Sequence, residues 1–272
     1  MHIAFQGEPG AYSEAAIFAH FGNGIQSLPC ESFEQVFASV ASGSSDSGLI
    51  PIENSLAGSI HRNYDLLLQN ELIVVGEHYL HVHHCLIGLP GVELTEIRRV
   101  ISHPQALAQC DGYIRSLGQV QADASYDTAG SVKIVREQND RTLAAIASRR
   151  AAKLYGMQVL AEDIEDNPAN FTRFLLISPQ QVEPGPDAKT SIVFSLKNEP
   201  GSLFKALSVF ALRDIDLTKI ESRPLVGKPW EYFFYIDFAG STQEEVVTRA
   251  LSHLDEYATF LRVLGSYPRH RM

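Results

Sequence analysis

The sequence predicts an α/β fold, with a two-lobed first domain followed by a smaller βαββαβ domain. Short apolar runs alternate with helix-period segments through residue 178, the pattern of a parallel or mixed sheet covered by helices. Two extended stretches, near residues 71–89 and 165–178, read as crossings between two lobes with a cleft between them. Residues 178–188 hold three prolines and a glycine, a linker composition, and the apolar pattern restarts after them. The expected division is 1–178 for the first domain, with lobes of about 1–80 plus 165–178 and of 81–164, then a linker at 179–188 and a second domain at 189–272.

Residues 2–5 read as a strand that enters the glycine-bearing turn 6–14 and a helix with apolar Ala15, Ala16, Ile17 and Phe18. The free N–H groups of such a helix start favour an anion. The loop has neither GxGxxG spacing nor the lysine of a Walker loop. A strand at 25–30 leads to a helix from 32 or 33 to 41. The strand 47–51 should end at Pro51, which cannot donate to a ladder, displaying Glu53, Asn54 and Ser55 ahead of a helix over 62–69. Residues 71–89 are largely extended and contain His78, His81, His83, His84 and Cys85. On a strand His81, His83 and Cys85 share one face. No carboxylate or second cluster at ligand spacing completes the set, so no metal is expected.

A second series follows, with strands at 99–101, 119–122, 142–146 and 157–160. Between them, 102–110 opens a helix with Pro104 in its first turn, where a missing N–H costs nothing, and Ser102 as cap or anion contact. Further helices begin at 127–131 and 147–150, the last closed by Gly156. An acidic loop, 162–167, then enters the apolar run 170–177, interrupted near its start by Thr172 and Arg173. The polar loops 6–13, 53–59, 102–105, 127–131 and 170–173 fall at strand ends facing the cleft, where open α/β sheets hold ligands. Beyond the linker, strands at 189–196, 215–223, 230–238 and 260–267 with helices at 201–212 and 243–254 make a ferredoxin-like unit. It has too little polar chemistry for an active site, so its expected job is sensing or dimerisation.

A formal net charge of −10 and a pI of about 5.4 argue against a general binder of nucleic acid or anionic membrane. Any anionic ligand must be held by local groups. Three scattered cysteines without CxxC form no disulfide framework, which fits a reducing compartment. The opening residues lack a secretory pattern and no stretch approaches about 18 apolar residues, so a cytoplasmic protein is expected.

Taken together, six separated motifs resemble the prephenate dehydratase family. They are Gly7-Glu8-Pro9-Gly10-Ala11-Tyr12-Ser13, Pro51-Ile52-Glu53-Asn54-Ser55, Ser102-His103-Pro104-Gln105-Ala106-Leu107, Asp127-Thr128-Ala129-Gly130, Ala144-Ala145-Ile146-Ala147-Ser148 and Asn170-Phe171-Thr172-Arg173-Phe174. Near the end, Asn198-Glu199-Pro200-Gly201-Ser202-Leu203 and Glu221-Ser222-Arg223-Pro224 resemble the phenylalanine-binding motifs of ACT regulatory domains, with Ser202 where alanine is more usual. The resemblance covers essentially the whole chain. It implies a two-lobed catalytic domain of the type II periplasmic-binding-protein kind plus a C-terminal ferredoxin-like ACT domain. No chorismate mutase domain precedes the first strand, so a monofunctional enzyme is expected.

The activity implied is conversion of prephenate to phenylpyruvate, carbon dioxide and water in phenylalanine biosynthesis, under feedback from L-phenylalanine. Carbon dioxide departs without the bonding electrons and the ring becomes aromatic as hydroxide leaves, so no cofactor is needed. Thr172 is expected to donate to the departing hydroxyl, Arg173 to clamp a carboxylate with its planar fork, and Phe174 to complete the catalytic set. Ser13, Asn54, Ser55, Ser102, Gln105, Thr128 and Ser148 would line the cleft. Glu53 is a weaker acid candidate, since a carboxylate would repel the dianion. The effector would bind at contacts between ACT domains through Asn198, Pro200, Gly201, Ser202, Leu203, Glu221, Ser222, Arg223 and Pro224, in a homodimer or homotetramer. The rivals are arogenate dehydratase, which differs only in a substrate amino group, and a non-catalytic binder or sensor of small carboxylates.

Overall fold

The computed structural model describes residues 1–225 and 227–271. Strand β1 (His2–Gln6) buries Ile3, Ala4 and Phe5 completely; a parallel strand covered on both faces shows no alternation. Helix α1 (Tyr12–Phe21) and strand β2 (Gln26–Cys30) follow. Helix α2 (Phe33–Ala41) starts at Ser32, whose side chain accepts from Gln35 N, and buries Val36, Phe37 and Val40 on one face. Next come β3 (Ser47–Asn54), β4 (Gly58–Ser59), α3 (His61–Gln69) and β5 (Ile73–His81). The second series comprises β6 (Cys85–Gly88), β7 (Arg99–Ser102), α4 (Pro104–Gln109), α5 (Asp111–Ser116), β8 (Gln121–Ala124), α6 (Thr128–Gln138), β9 (Leu143–Ala147), α7 (Arg149–Tyr155) and β10 (Gln158–Ala161). Strand β11 (Phe171–Ser178) returns to the first sheet, whose order is β2-β1-β3-β11-β5 with β4 on β3. The other sheet runs β10-β6-β9-β7-β8. It is mixed, with β7 parallel to β8 and β9, and β6 antiparallel to β9 and β10.

One expected boundary is corrected. Strand β3 runs through Pro51 to Asn54 instead of stopping there. Its parallel pairing with β1 ends at Leu49, so no β1 carbonyl waits for the N–H that Pro51 lacks. The Pro51 carbonyl accepts from Asn63 Nδ2 at 2.6 Å, and Glu53 and Asn54 pair with β4. The extended stretch 71–89 is likewise two strands, β5 and β6, in different sheets.

The remaining elements are β12 (Ala188–Leu196), α8 (Ser202–Ala211), β13 (Leu217–Pro224), β14 (Tyr232–Ala239), α9 (Glu245–Tyr257) and β15 (Ala258–Pro268). Their antiparallel sheet, β13-β14-β12-β15, is ferredoxin-like, and its core is built on Ile192, Phe194, Phe210, Phe238 and Leu254.

The internal contacts define two compact units. One contains residues 1–64 and 78–174; the other contains residues 65–77 and everything from Leu175 onward. Within the second unit, Lys189 and Glu77 form a buried ion pair at 2.7 Å. Arg262 donates to the carbonyls of Leu68 and Asn70, and Gly265 lies against Val74. A Cβ at Gly265 would stand 2.0 Å from the Val74 carbonyl oxygen, backbone against backbone. Gly265→Ala is therefore expected to lose about 1–3 kcal/mol or more in urea unfolding. An unchanged midpoint would mean that the two strands separate at little cost.

Candidate functional site

The end of β3 and the start of β11 meet through two asparagines. Asn54 Oδ1 accepts from the N–H groups of Leu56 and Ala57, at 3.1 and 2.9 Å, which fixes the orientation of its amide. Its Nδ2 must then face β11, where it donates to Asn170 Oδ1 at 2.8 Å and to Thr172 Oγ1 at 3.0 Å. The Thr172 oxygen is thereby an acceptor from Asn54. Its own proton remains to be donated elsewhere, and no acceptor for it is found among the described residues.

Asn170 Nδ2 donates onward to Gln109 Oε1 at 3.1 Å, which also receives His84 Nε2 at 2.9 Å. His84 Nδ1 lies 2.7 Å from the Tyr12 hydroxyl, which also approaches the His83 carbonyl at 2.9 Å. Burial lowers the His84 imidazole, outweighing Gln109 and Glu165, and burial raises the Tyr12 phenol well above its ordinary range. The network is therefore a chain of neutral groups ending at Thr172. Gln109 Nε2 is buried without a partner among the described residues, so the amide keeps donors for a ligand.

These groups surround a recess of about 170 Å³ lined by Thr172, Phe174, Asn54, Gln109, His84 and Tyr12, among others. Ser13, Gln105 and Thr128 line both this recess and an outer cleft of about 500 Å³. Neither has a lysine or arginine among its lining residues. What it has instead is helix starts. Helices α1, α4 and α6 place Tyr12, Gln105 and Thr128 at its edge, and α1 has no side-chain cap, so its first N–H groups are left for an anion.

Of the eleven residues expected in the cleft, six line it: Thr172, Phe174, Ser13, Asn54, Gln105 and Thr128. The other five require correction. Strand alternation sets Arg173 on the face opposite Thr172 and Phe174, buried, with its guanidinium carbon 5.9 Å from the Tyr79 ring centre, so it is not part of the recess lining. Ser102 spends its hydroxyl on the Ile146 carbonyl at 2.6 Å, tying two strands together. Ser55 donates to Ala169 O and accepts from Phe171 N, a clip between β3 and β11. Ser148 caps α7 through Ala151 N and donates to Gly10 O. Glu53 does not line either cavity. Gln109 was missed, although it follows Gln105 by one helical turn and so shares its face.

The Ser148 contact belongs to a clasp between the first loop and α7. Gly10 has φ +95° and would place a Cβ 2.9 Å from Ala151 Cα, so only glycine fits. Glu14 accepts from Gly10 N, Ser27 Oγ and Arg150 Nε, all at 2.7–2.8 Å. Burial works to raise the Glu14 carboxyl, but Arg150, the Gly10 N–H and Ser27 outweigh it and hold it below its ordinary 4.5. A depressed carboxyl contributes stability that is complete above its unfolded value and is lost as pH falls through the folded one. Between about pH 5 and pH 3, the unfolding midpoint is expected to drop more steeply in the wild-type protein than in Glu14→Gln. Parallel pH profiles would remove this role from Glu14.

The histidine stretch also reads differently in three dimensions. His83 Nδ1 meets Asp163 Oδ1 at 2.7 Å and Glu165 Oε1 at 3.3 Å. The carboxylates absent from the local spacing are supplied by the distant acidic loop, whereas His81 stacks on Phe171.

Of the effector residues, Asn198, Pro200 and Gly201 are exposed ahead of α8, and Leu203 packs on the sheet core. Ser195 and Arg223 both pair with Phe233, so the loop after β12 and residues Glu221–Pro224 share one end of the sheet, separated by β14. Arg223 donates to Asp65 Oδ2 at 2.7 Å.

The prephenate dehydratase family model matches residues 3–182 and the ACT domain model residues 190–255. The arogenate dehydratase/prephenate dehydratase 2 of Arabidopsis thaliana is 51% identical over 98% of this chain and 73% of its own length. A prephenate dehydratase from Arthrobacter aurescens, solved with L-Phe, superposes with a TM-score of 0.90 at 34% identity, covering 99% of this chain and 90% of that one. GqqA, described as a novel type of quorum quenching acylase, superposes with a TM-score of 0.92 at 38% identity, covering 99% and 98%. The Arabidopsis protein is named chloroplastic, which overturns the cytoplasmic placement expected from the opening residues. Among the described residues, no helix is long and apolar enough to cross a membrane.

Proposed function

This chain belongs to the prephenate dehydratase family and is a dehydratase, and from that premise we propose that it converts prephenate, or its amino analogue arogenate, by loss of carbon dioxide and the ring hydroxyl. The supporting observation is the Asn54–Thr172 hydrogen bond, which commits the Thr172 oxygen as acceptor and leaves its proton for the departing hydroxyl. A threonine is a very weak acid, so the hydroxyl assists by hydrogen bonding as the C–O bond breaks. The C–C bond electrons left by carbon dioxide complete the aromatic ring and hydroxide takes the C–O pair, so the balance closes without a redox cofactor. The uncapped start of α1 offers its N–H groups to a carboxylate in place of Arg173.

Acyl transfer, the chemistry in the GqqA description, fits this recess less well. A hydroxyl nucleophile needs a base to take its proton, and the partner of Thr172 Oγ1 is an amide that donates.

In this reading residues 1–178 carry the reaction, 179–188 link, and 189–272 sense L-phenylalanine through the two motifs at one end of the ferredoxin-like sheet. The chain would act as a homodimer or homotetramer, and β13 offers an edge strand for pairing. Purified protein in chelator should form phenylpyruvate from prephenate or phenylalanine from arogenate, and added L-phenylalanine should slow it. Binding without turnover of either would replace this reading with that of a carboxylate binder.

A further inference from the structure

The outer cleft has an unusual charge balance for a site that is to hold a dianion. Its lining contains Glu34, Asp127 and His103 but no lysine or arginine. Glu34 is neutralised by Arg62 at 2.6 Å. His103 Nδ1 accepts from Gln105 N at 3.2 Å, at the start of α4. Asp127 is held by backbone N–H groups and by the weaker field of His103, without a paired guanidinium or ammonium among the described residues. Its Oδ1 accepts from Gly130 N at 2.7 Å, capping α6, and no lysine or arginine pairs with it among the described residues. Asp127 belongs to the lining of the outer cleft and not to that of the recess holding Thr172. With the ring hydroxyl at Thr172, the three-carbon side chain, at the opposite end of the ring, would extend from the recess toward the outer cleft that Asp127 lines.

We propose that Asp127 is a specificity-determining residue of the cleft: its carboxylate receives a side-chain ammonium on the substrate, so that the site takes arogenate in preference to prephenate. This rests on the dehydratase reading above. The two substrates share their ring, leaving hydroxyl and both carboxylates; they differ in an ammonium against a keto oxygen. Opposite the ammonium, Asp127 gains the cation that the chain does not supply. Opposite the keto oxygen, it meets only negative charge, and that pair repels in a partly desolvated cleft. Burial raises the Asp127 carboxyl against the lowering effect of the Gly130 and Ala129 N–H groups, with Glu8 adding to the rise and His103 opposing it.

The test is kcat/KM for arogenate and for prephenate in the wild-type protein and in Asp127→Asn. Asparagine retains an oxygen for Gly130 N and caps helices as well as aspartate does, so α6 keeps its start. The wild-type protein should prefer arogenate. In the variant the arogenate-to-prephenate ratio should fall by about 10–100-fold, through the arogenate arm. A wild-type preference for prephenate overturns the proposal. So does a ratio left unmoved, and a parallel fall on both substrates would leave Asp127 as a cap alone. Absence of turnover on both substrates in the wild-type protein would sink the dehydratase reading itself and this inference with it. Should Asp127→Asn unfold, Asp127→Ser, which also caps, carries the same expectation.

Discussion

Thr172→Ala should cut turnover by about 10²–10⁴-fold while leaving the fold and substrate affinity nearly intact. The hydroxyl that is removed touches Asn54 Nδ2 at 3.0 Å, and Asn54 Nδ2 keeps Asn170 Oδ1 at 2.8 Å, so the network closes without it. The loss should fall on kcat, because a hydrogen bond to a departing hydroxyl strengthens only as charge develops on the oxygen. Thr172→Ser retains the oxygen and should recover a substantial part of the rate. Steady-state kinetics with circular dichroism checks both; an alanine variant as fast as wild type would take the role from Thr172.

Lys189→Met should destabilise the protein by about 3–5 kcal/mol, because it leaves the buried Glu77 carboxylate without its ammonium. Glu77 and Lys189 side chains are 0% and 3% exposed, and both Glu77 oxygens lie within 2.8 Å of the ammonium. Two charges taken out of water gain little over an apolar pair, but one alone is costly. The double variant Glu77→Leu with Lys189→Met should therefore recover much of the loss. Urea unfolding of wild type, single and double variants decides the matter; a single variant as stable as wild type would mean that Glu77 is hydrated or protonated at little cost.

The elements were legible because their periodicities differ. The run 170–177 announced β11, and the order after the linker announced the ferredoxin-like sheet. Within the site, legibility followed strand and helix geometry only as far as it was applied. The same alternation that identifies β11 also separates Arg173 from Thr172, and the same helical turn that presents Gln105 presents Gln109. Serines were less readable. At a strand end, a hydroxyl facing a ligand and one facing a neighbouring carbonyl look identical in sequence, and Ser55, Ser102 and Ser148 all proved to serve the backbone. The Asn54–Asn170 bond joins residues 116 positions apart, and no local pattern encodes it.

Residues 65–77 keep company with the chain from Leu175 onward and not with their neighbours in sequence. For a gene, this means that the natural seam of the polypeptide is not a seam of the folded protein. A recombination joint at the proline-rich segment would deliver the C-terminal sheet without Leu72, Val74 and Val75, which are buried in the intact chain. It would leave the donor fragment with those same side chains to cover. Exchange of the C-terminal part between lineages must then bring matched changes in this short upstream stretch, so the two segments are expected to be inherited as one block.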